Sequence, residues 1–220
     1  MAKTKDYKHF CAAARSLEVI GEKWSLLIVR DLLRGPQRFS DLLRYLGAIT
    51  PKWLSARLRD LEEADIVERD AQEGRREVWY SLTEVGRDLE PVVEALVVWG
   101  VKHAMRPPLL GERVHAGIIL QGIVFVLNNR LLPWPPKAVT WVFRFGSNDV
   151  HTLHFDGQLW SAQPVADERA DVIVETTPET WANSLTAPPR EGSKLPEGLI
   201  VDGDPERVEE FAAVFLAGGR

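Results

Sequence analysis

One cysteine in 220 residues excludes a disulfide framework within the chain, and with it any zinc or iron–sulfur site built from several thiolates. The five histidines form no ligand pattern: His151 and His154 are three apart in a strand-like run and point to opposite faces, while His9, His103 and His115 are scattered. Neither a metal nor a cofactor is expected. Long apolar runs are also missing. The most apolar stretch, residues 114–127, contains His115 and Gln121 and falls short of the roughly 20 residues that a membrane helix needs. Charge occupies the first ten positions, where a secretory leader would turn apolar. The cytoplasm fits best, with no membrane partner. No Gly-x-Ser-x-Gly elbow, Walker loop, dinucleotide fingerprint or His-Glu-x-x-His sequence occurs, so an enzyme is not expected.

What is present is ordinary globular chain. Hydrophobic residues make up 45% and charged residues 27%, with too few glycines and prolines for low complexity. At roughly 150 residues per domain, the length suggests one large domain or two small ones. The formal charge is −5, and the second half carries all of the excess. Over residues 34–59 the sign reverses: Arg34, Arg38, Arg44, Lys52, Arg57 and Arg59 face a single acid, Asp41. Such a stripe steers toward phosphate, although charge runs more often form a solvated face.

Periodicity divides the chain in two. Residues 1–104 are mostly helical, residues 105–113 carry two prolines and a glycine and read as a linker, and residues 114–220 form a second domain. In the first part, Phe10, Ala14 and Leu17 recur at helical spacing, as do Trp24, Leu27, Ile28 and Leu32. A short helix fits residues 39–46. The next, residues 50–64, is the best marked, with Thr50 as N-cap, Pro51 in the first turn and Ile49 placed to staple Leu54. Its apolar stripe is Leu54, Leu58 and Leu61. The opposite face is Lys52, Ser55, Ala56 and Arg59, with Trp53 on the flank. Arg57 lies nearer the stripe, where pairing with an acid or phosphate suits it better than reading a base. The period then drops to two over residues 66–69 and 77–82, a hairpin whose tip carries Arg75 and Arg76. From Thr83 a long helix follows, with Leu89, Val92, Val93, Leu96 and Trp99 on a stripe too apolar for water.

Helix, basic-faced helix and basic-tipped hairpin, in that order, describe a helix-turn-helix with a wing. Small side chains at Ser55 and Ala56 let the backbone approach base edges. Lys52 and Arg59 are placed to donate to bases or phosphates, and Arg38, Ser40, Arg75 and Arg76 to phosphates or the minor groove. Thr50 joins this contact set, as does Trp53, which either stacks or meets a thymine methyl or else covers the edge of the core. The expected partner is double-stranded DNA.

The residues also carry a family resemblance. Cys11, Arg15-Ser-Leu, Ile20-Gly-Glu-Lys-Trp24, Arg30-Asp-Leu-Leu-Arg-Gly35 and Arg38-Phe-Ser-Asp-Leu42 lead into Ile49-Thr-Pro-Lys, Leu54-Ser and Arg57-Leu-Arg-Asp-Leu-Glu-Glu63. Tyr80-Ser-Leu-Thr83 and Gly86 complete the set. Over about residues 8–104 this resembles the HxlR-type, MarR-like winged-helix regulators. The resemblance implies a homodimeric, cytoplasmic bacterial regulator binding operator DNA, its terminal helices forming the dimer interface through Leu89, Val92, Val93, Leu96 and Trp99. It places the recognition helix on residues 50–64, the preceding helix on 39–46 and the wing on 70–76. Many members have Pro after the N-terminal Cys; here Ala12 follows Cys11.

The second half reads as α+β: a buried helix over residues 114–132, an alternating strand over 139–145, a hairpin of 151–155 and 158–162 turning at Asp156-Gly157, a strand over 170–176, a short helix with Trp181 and Leu185, a strand over 199–202 and a last helix capped by Asp204. The hairpin Leu153-His-Phe-Asp-Gly157, the strand Ala170-Asp-Val-Ile-Val174 and the run Gly198-Leu-Ile-Val-Asp-Gly-Asp204 resemble a sterol-carrier-protein-type domain. This implies a small α+β fold sensing an apolar small-molecule effector. Trp141, Phe143, Phe155 and Trp160 are first of all a core, and secondarily the candidate lining of a ligand pocket.

Cys11, beside Phe10 and Ala14 in a helical pattern, is expected to be a buried, inert small hydrophobe. The alternative is an accessible thiol sensor, for which Lys8 and Arg15 supply nearby charge. The function expected from all this is a DNA-binding transcriptional regulator, a repressor on a palindromic operator. The competing reading is a carrier of lipid or another hydrophobic ligand, whose N-terminal half serves dimerisation or protein docking.

Overall fold

A computed structural model of the chain describes residues 6–71, 77–186 and 195–216. The chain forms two compact units, Met1–Ala95 and Leu96–Arg220, and both mix helices with sheet.

In the N-terminal unit, α1 (Ala12–Ile20) and α2 (Ser25–Leu32) precede a two-residue strand, β1 (Gln37–Arg38), that runs directly into α3 (Phe39–Leu46). Gly47, in the left-handed region at φ 67°, closes α3, the position where a residue without Cβ costs least. Three residues later Thr50 caps α4 (Pro51–Glu63), its hydroxyl accepting from the Trp53 N–H. After α4 come β2 (Val67–Asp70) and β3 (Trp79–Leu82), and the sheet order is β1-β3-β2, all antiparallel. Ile28, Leu32, Leu42, Leu54, Leu58 and Leu61 are buried between helices and sheet, and each such side chain stabilises the fold by roughly 1.5–3 kcal/mol.

Several expectations need correction here. Phe10 does not join a helical stripe: it precedes α1 and is 99% exposed, and Leu17 is exposed as well. Leu27 is also exposed, while Ile28 and Leu32 of the same pattern are buried. The long helix expected from Thr83 is two helices, α5 (Glu84–Arg87) and α6 (Glu90–His103). Pro91 explains the break. Inside one continuous helix it would remove the bond to the carbonyl four residues back and clash with it, whereas in the first turn of α6 it has no such bond to make. Strand β1 was not foreseen from periodicity.

In the C-terminal unit, α7 (Ala116–Asn128) is followed by β4 (Val139–Phe145), β5 (Val150–Phe155), β6 (Trp160–Gln163), β7 (Val172–Thr176), α8 (Pro178–Thr186), β8 (Ile200–Gly203) and α9 (Pro205–Phe215). The sheet order is β6-β5-β4-β7-β8, with β4 and β7 its one parallel pair. Trp141 lies opposite Leu153 on one side and Val172 on the other. On one sheet face Val139, Trp141, Phe143, Phe145, Leu153, Phe155, Val172 and Val174 form a core with Leu120, Ile123 and Leu127 of α7, Trp181 of α8 and Phe211 and Phe215 of α9. Asp204 caps α9 by accepting from the Glu206 N–H. Among the described residues, no helix is long and apolar enough to cross a membrane.

Candidate nucleic-acid interface

The helix-turn-helix is held together from behind. Leu54, Leu58 and Leu61 anchor one side of α4 in the core, as does Leu42 for α3. That leaves the other side of α4 in water: Lys52, Trp53, Ser55 and Arg59 are exposed and Ala56 is half-buried. Among the described residues neither Lys52 nor Arg59 is engaged in an ion pair, so both cations remain available to an outside anion.

The other bases of the positive stripe have partners inside the chain. Arg57 is buried, with Nη2 2.7 Å from Asp60 Oδ2 and Nη1 3.8 Å from Glu22 Oε2. Arg44 pairs with Asp41 at 3.2 Å and lies over the Tyr45 ring, as does Arg34. Arg38 is bound to the base of the hairpin: its guanidinium is 2.9 Å from Glu77 and stands over the Trp79 ring, while its backbone pairs with Trp79 across β1 and β3. Ser40 is exposed at the start of α3. Arg75 and Arg76, expected at the hairpin tip, lie outside the described residues. Glu77 and Trp79 as the anchor of Arg38, and Glu22 as a partner of Arg57, escaped the sequence reading, because neither contact follows a local periodicity.

The apolar stripe of α6 divides. Val93 is buried and Leu89 half-buried, whereas Val92 and Leu96 are exposed and Trp99 is 60% exposed. Cys11 corrects its expected burial: it is exposed, at the N-cap of α1, with Sγ accepting from the Ala14 N–H at 3.2 Å. The helix begins at Ala12, two residues after the Phe10 at which the apolar spacing starts, which moves Cys11 from the buried side to the cap. In the C-terminal unit Trp141, Phe155 and Trp160 pack ring against ring, with Trp141 and Trp160 centroids 4.7 Å apart and Phe155 and Trp160 5.0 Å apart, while Phe143 packs on Phe145, Trp181 and Phe211. Among the described residues, no group of three or more His, Cys, Asp or Glu is placed to hold a metal ion.

A helix pair joined by a four-residue turn, the second helix exposed along one side and a β-hairpin following it, define a winged helix-turn-helix. The model of the HxlR-like helix-turn-helix family matches residues 19–107. The HTH-type transcriptional regulator YkvN of Bacillus subtilis is 38% identical over 106 residues, which are 48% of this chain and 90% of that protein. The HTH-type transcriptional regulator Rv3095 of Mycobacterium tuberculosis is 41% identical over 99 residues, 44% of this chain, and the chain spans 61% of that relative's length. The solved structure of the redox regulator HypR in its oxidized form is 36% identical over 43% of this chain and 99% of that one, with a TM-score of 0.41. The chain belongs to the HxlR-like helix-turn-helix family.

Proposed function

We propose that this chain is a DNA-binding transcriptional regulator, a repressor that acts as a homodimer on a palindromic operator. The observation that carries the reading is the division of α4: Arg57 is neutralised behind the helix, while Lys52 and Arg59 have no ion-pair partner among the described residues and stand on its exposed side beside the short side chains of Ser55 and Ala56. Short side chains let a helix sit deep in the major groove, and flanking cations then reach base edges or phosphates. Ser40 and Arg38 lie at the start of the preceding helix, where phosphate contacts fix register.

A palindrome is read by two copies related by two-fold symmetry. The exposed Val92, Leu96 and Trp99 of α6 are apolar side chains that a second copy would cover. We assign residues 114–220 the role of sensing an apolar small molecule, on the likeness of their strand and hairpin sequences to the sterol-carrier type. For such a molecule to regulate, it must bind one state of the dimer better than the other.

The test is fluorescence anisotropy of the full chain with DNA from upstream of its own gene, against a scrambled duplex, at several salt concentrations. A repressor of its own region binds the first selectively, two chains per site, with log affinity falling by about 0.9 per log unit of salt for each phosphate contact. Equal, weak binding to both duplexes and to genomic fragments would reject the reading.

A further inference from the structure

The aromatic core of the C-terminal unit leaves hydrogen-bond donors unmet. The indole N–H groups of Trp141, Trp160 and Trp181 are buried with no hydrogen-bond partner among the described residues, and so is the Thr176 hydroxyl. Trp141 and Trp181 have no exposed surface and Trp160 almost none. A fourth tryptophan packed on the same cluster, Trp134, does find an acceptor, the Leu127 carbonyl oxygen at 2.6 Å. One indole of this core thus meets an acceptor, and the other three meet none among the described residues.

An apolar core gains nothing from that arrangement. Phenylalanine would supply an aromatic ring with no donor to strand, and a buried N–H without an acceptor is costly. The faces of neighbouring rings are only weak acceptors. The three rings are linked directly or through shared neighbours. Trp141 and Trp160 have centroids 4.7 Å apart, and Phe211 and Phe215 of α9 each touch both Trp141 and Trp181 at centroid distances of 5.3–6.2 Å.

We infer that the space around Trp141, Trp160 and Trp181 is a binding site for a neutral, apolar molecule carrying acceptor oxygens, of the ketone or ester class. Indole only donates, so the occupant must accept. Among the described residues a cation stands over Trp134, where Arg130 lies 3.7 Å from the ring centroid, and none stands over Trp141, Trp160 or Trp181, so a carboxylate at those rings would be buried without a counter-charge. Phe211 and Phe215 each pack on both Trp141 and Trp181, and a molecule that reaches both indoles takes the place of a phenyl ring. α9 is therefore the element that yields. The inference deepens the sensing role proposed above and is tested apart from it.

The probe is the fluorescent ketone 6-propionyl-2-(dimethylamino)naphthalene, titrated into the full chain beside its carbonyl-free counterpart, 6-propyl-2-(dimethylamino)naphthalene. The ketone is expected to bind saturably, one per chain, and to move up to three of the eight indole N–H proton resonances downfield, which the propyl compound does not do. Trp160→Phe and Trp181→Phe each weaken the ketone by about three- to tenfold, the range of one neutral hydrogen bond, and leave the propyl compound unchanged. Phe215→Ala tightens both. Absence of saturable ketone binding, or binding to the unaltered chain without an indole shift, overturns the site, and the latter reading needs no variant to fold. Ketone binding that leaves DNA affinity untouched keeps the site and removes the sensing role.

Discussion

Arg57 and Asp60, one turn apart on α4, hold each other at 2.7 Å with the arginine side chain only 10% exposed. The pair explains why one arginine of the exposed helix belongs to the fold while Arg59, two residues on, does not. Arg57→Ala strands the Asp60 carboxylate and loosens the tie to Glu22, and is expected to lower stability by about 2 kcal/mol. Lys52→Ala and Arg59→Ala are expected to leave the thermal midpoint nearly unchanged and to weaken operator binding by about 1–3 kcal/mol each where the side chain reads a base, or to reduce the salt slope by about one where it meets a phosphate. Thermal melts and anisotropy on the three variants separate the two roles. Unchanged DNA affinity in both exposed variants would remove α4 as the reading helix.

The junction between sheet and α5 rests on Thr83 and Gly86. The Thr83 hydroxyl accepts from the Gly86 N–H at 3.0 Å and donates to the Asp65 carbonyl at 2.5 Å. A Cβ on Gly86 would run into the Ile66 carbonyl oxygen. Thr83→Ala is expected to cost about 1 kcal/mol, the usual loss of a cap, and Gly86→Ala considerably more, because backbone on both sides must move. Chemical denaturation of each variant measures the order; a Gly86→Ala variant as stable as the parent would contradict this packing.

A charge on the exposed side of α6 reports on self-association. Leu96→Glu is expected to convert a two-chain species into a single chain in sedimentation velocity, with helical circular dichroism retained, because burying an unpaired carboxylate in an apolar interface is prohibitive. A variant that still sediments as two chains places the interface elsewhere.

The segment between α6 and α7 carries its own pH response. Arg106 grips Glu112 through Nη1 at 2.8 Å and Nη2 at 2.5 Å, and the Leu109 N–H donates to the same carboxylate. The arginine hydrogen bond, then the backbone one, hold the Glu112 carboxyl down to about 2 from an ordinary value of 4.5. A depressed carboxyl contributes fully above its unfolded value. Its contribution is therefore present above about pH 4.5 and lost as pH falls toward 2. The group is exposed, so the local turn should respond rather than the whole fold. Carbon-detected titration of Glu112 should give the low value in the parent and a near-ordinary one in Arg106→Ala; an ordinary value in the parent would contradict the clasp.

Much of α4 was legible because its signals are local: Thr50, Pro51 and the leucines at 54, 58 and 61 lie within a few turns and agree with one another. The same holds for the alternation of β4. Strand β1 was not legible, since two residues have no period and their partners, Trp79 and Tyr80, lie some forty positions on. Cys11 was misplaced because Phe10 and Ala14 fit a helical spacing that the chain does not begin until Ala12. The stranded indoles were invisible for a different reason: sequence shows that a tryptophan is apolar, but only packing shows whether its N–H is met.

The two sides of α4 answer to different demands, and that has a consequence for how such a chain diversifies. The positions that keep the helix in place are 50, 51, 54, 57, 58 and 61; those that face outward are 52, 55, 56 and 59. Exchanging the second set changes what is presented to a partner and leaves the first set intact. A duplicated copy of this unit could thus be re-addressed to a new target by a handful of surface substitutions, each nearly neutral for folding.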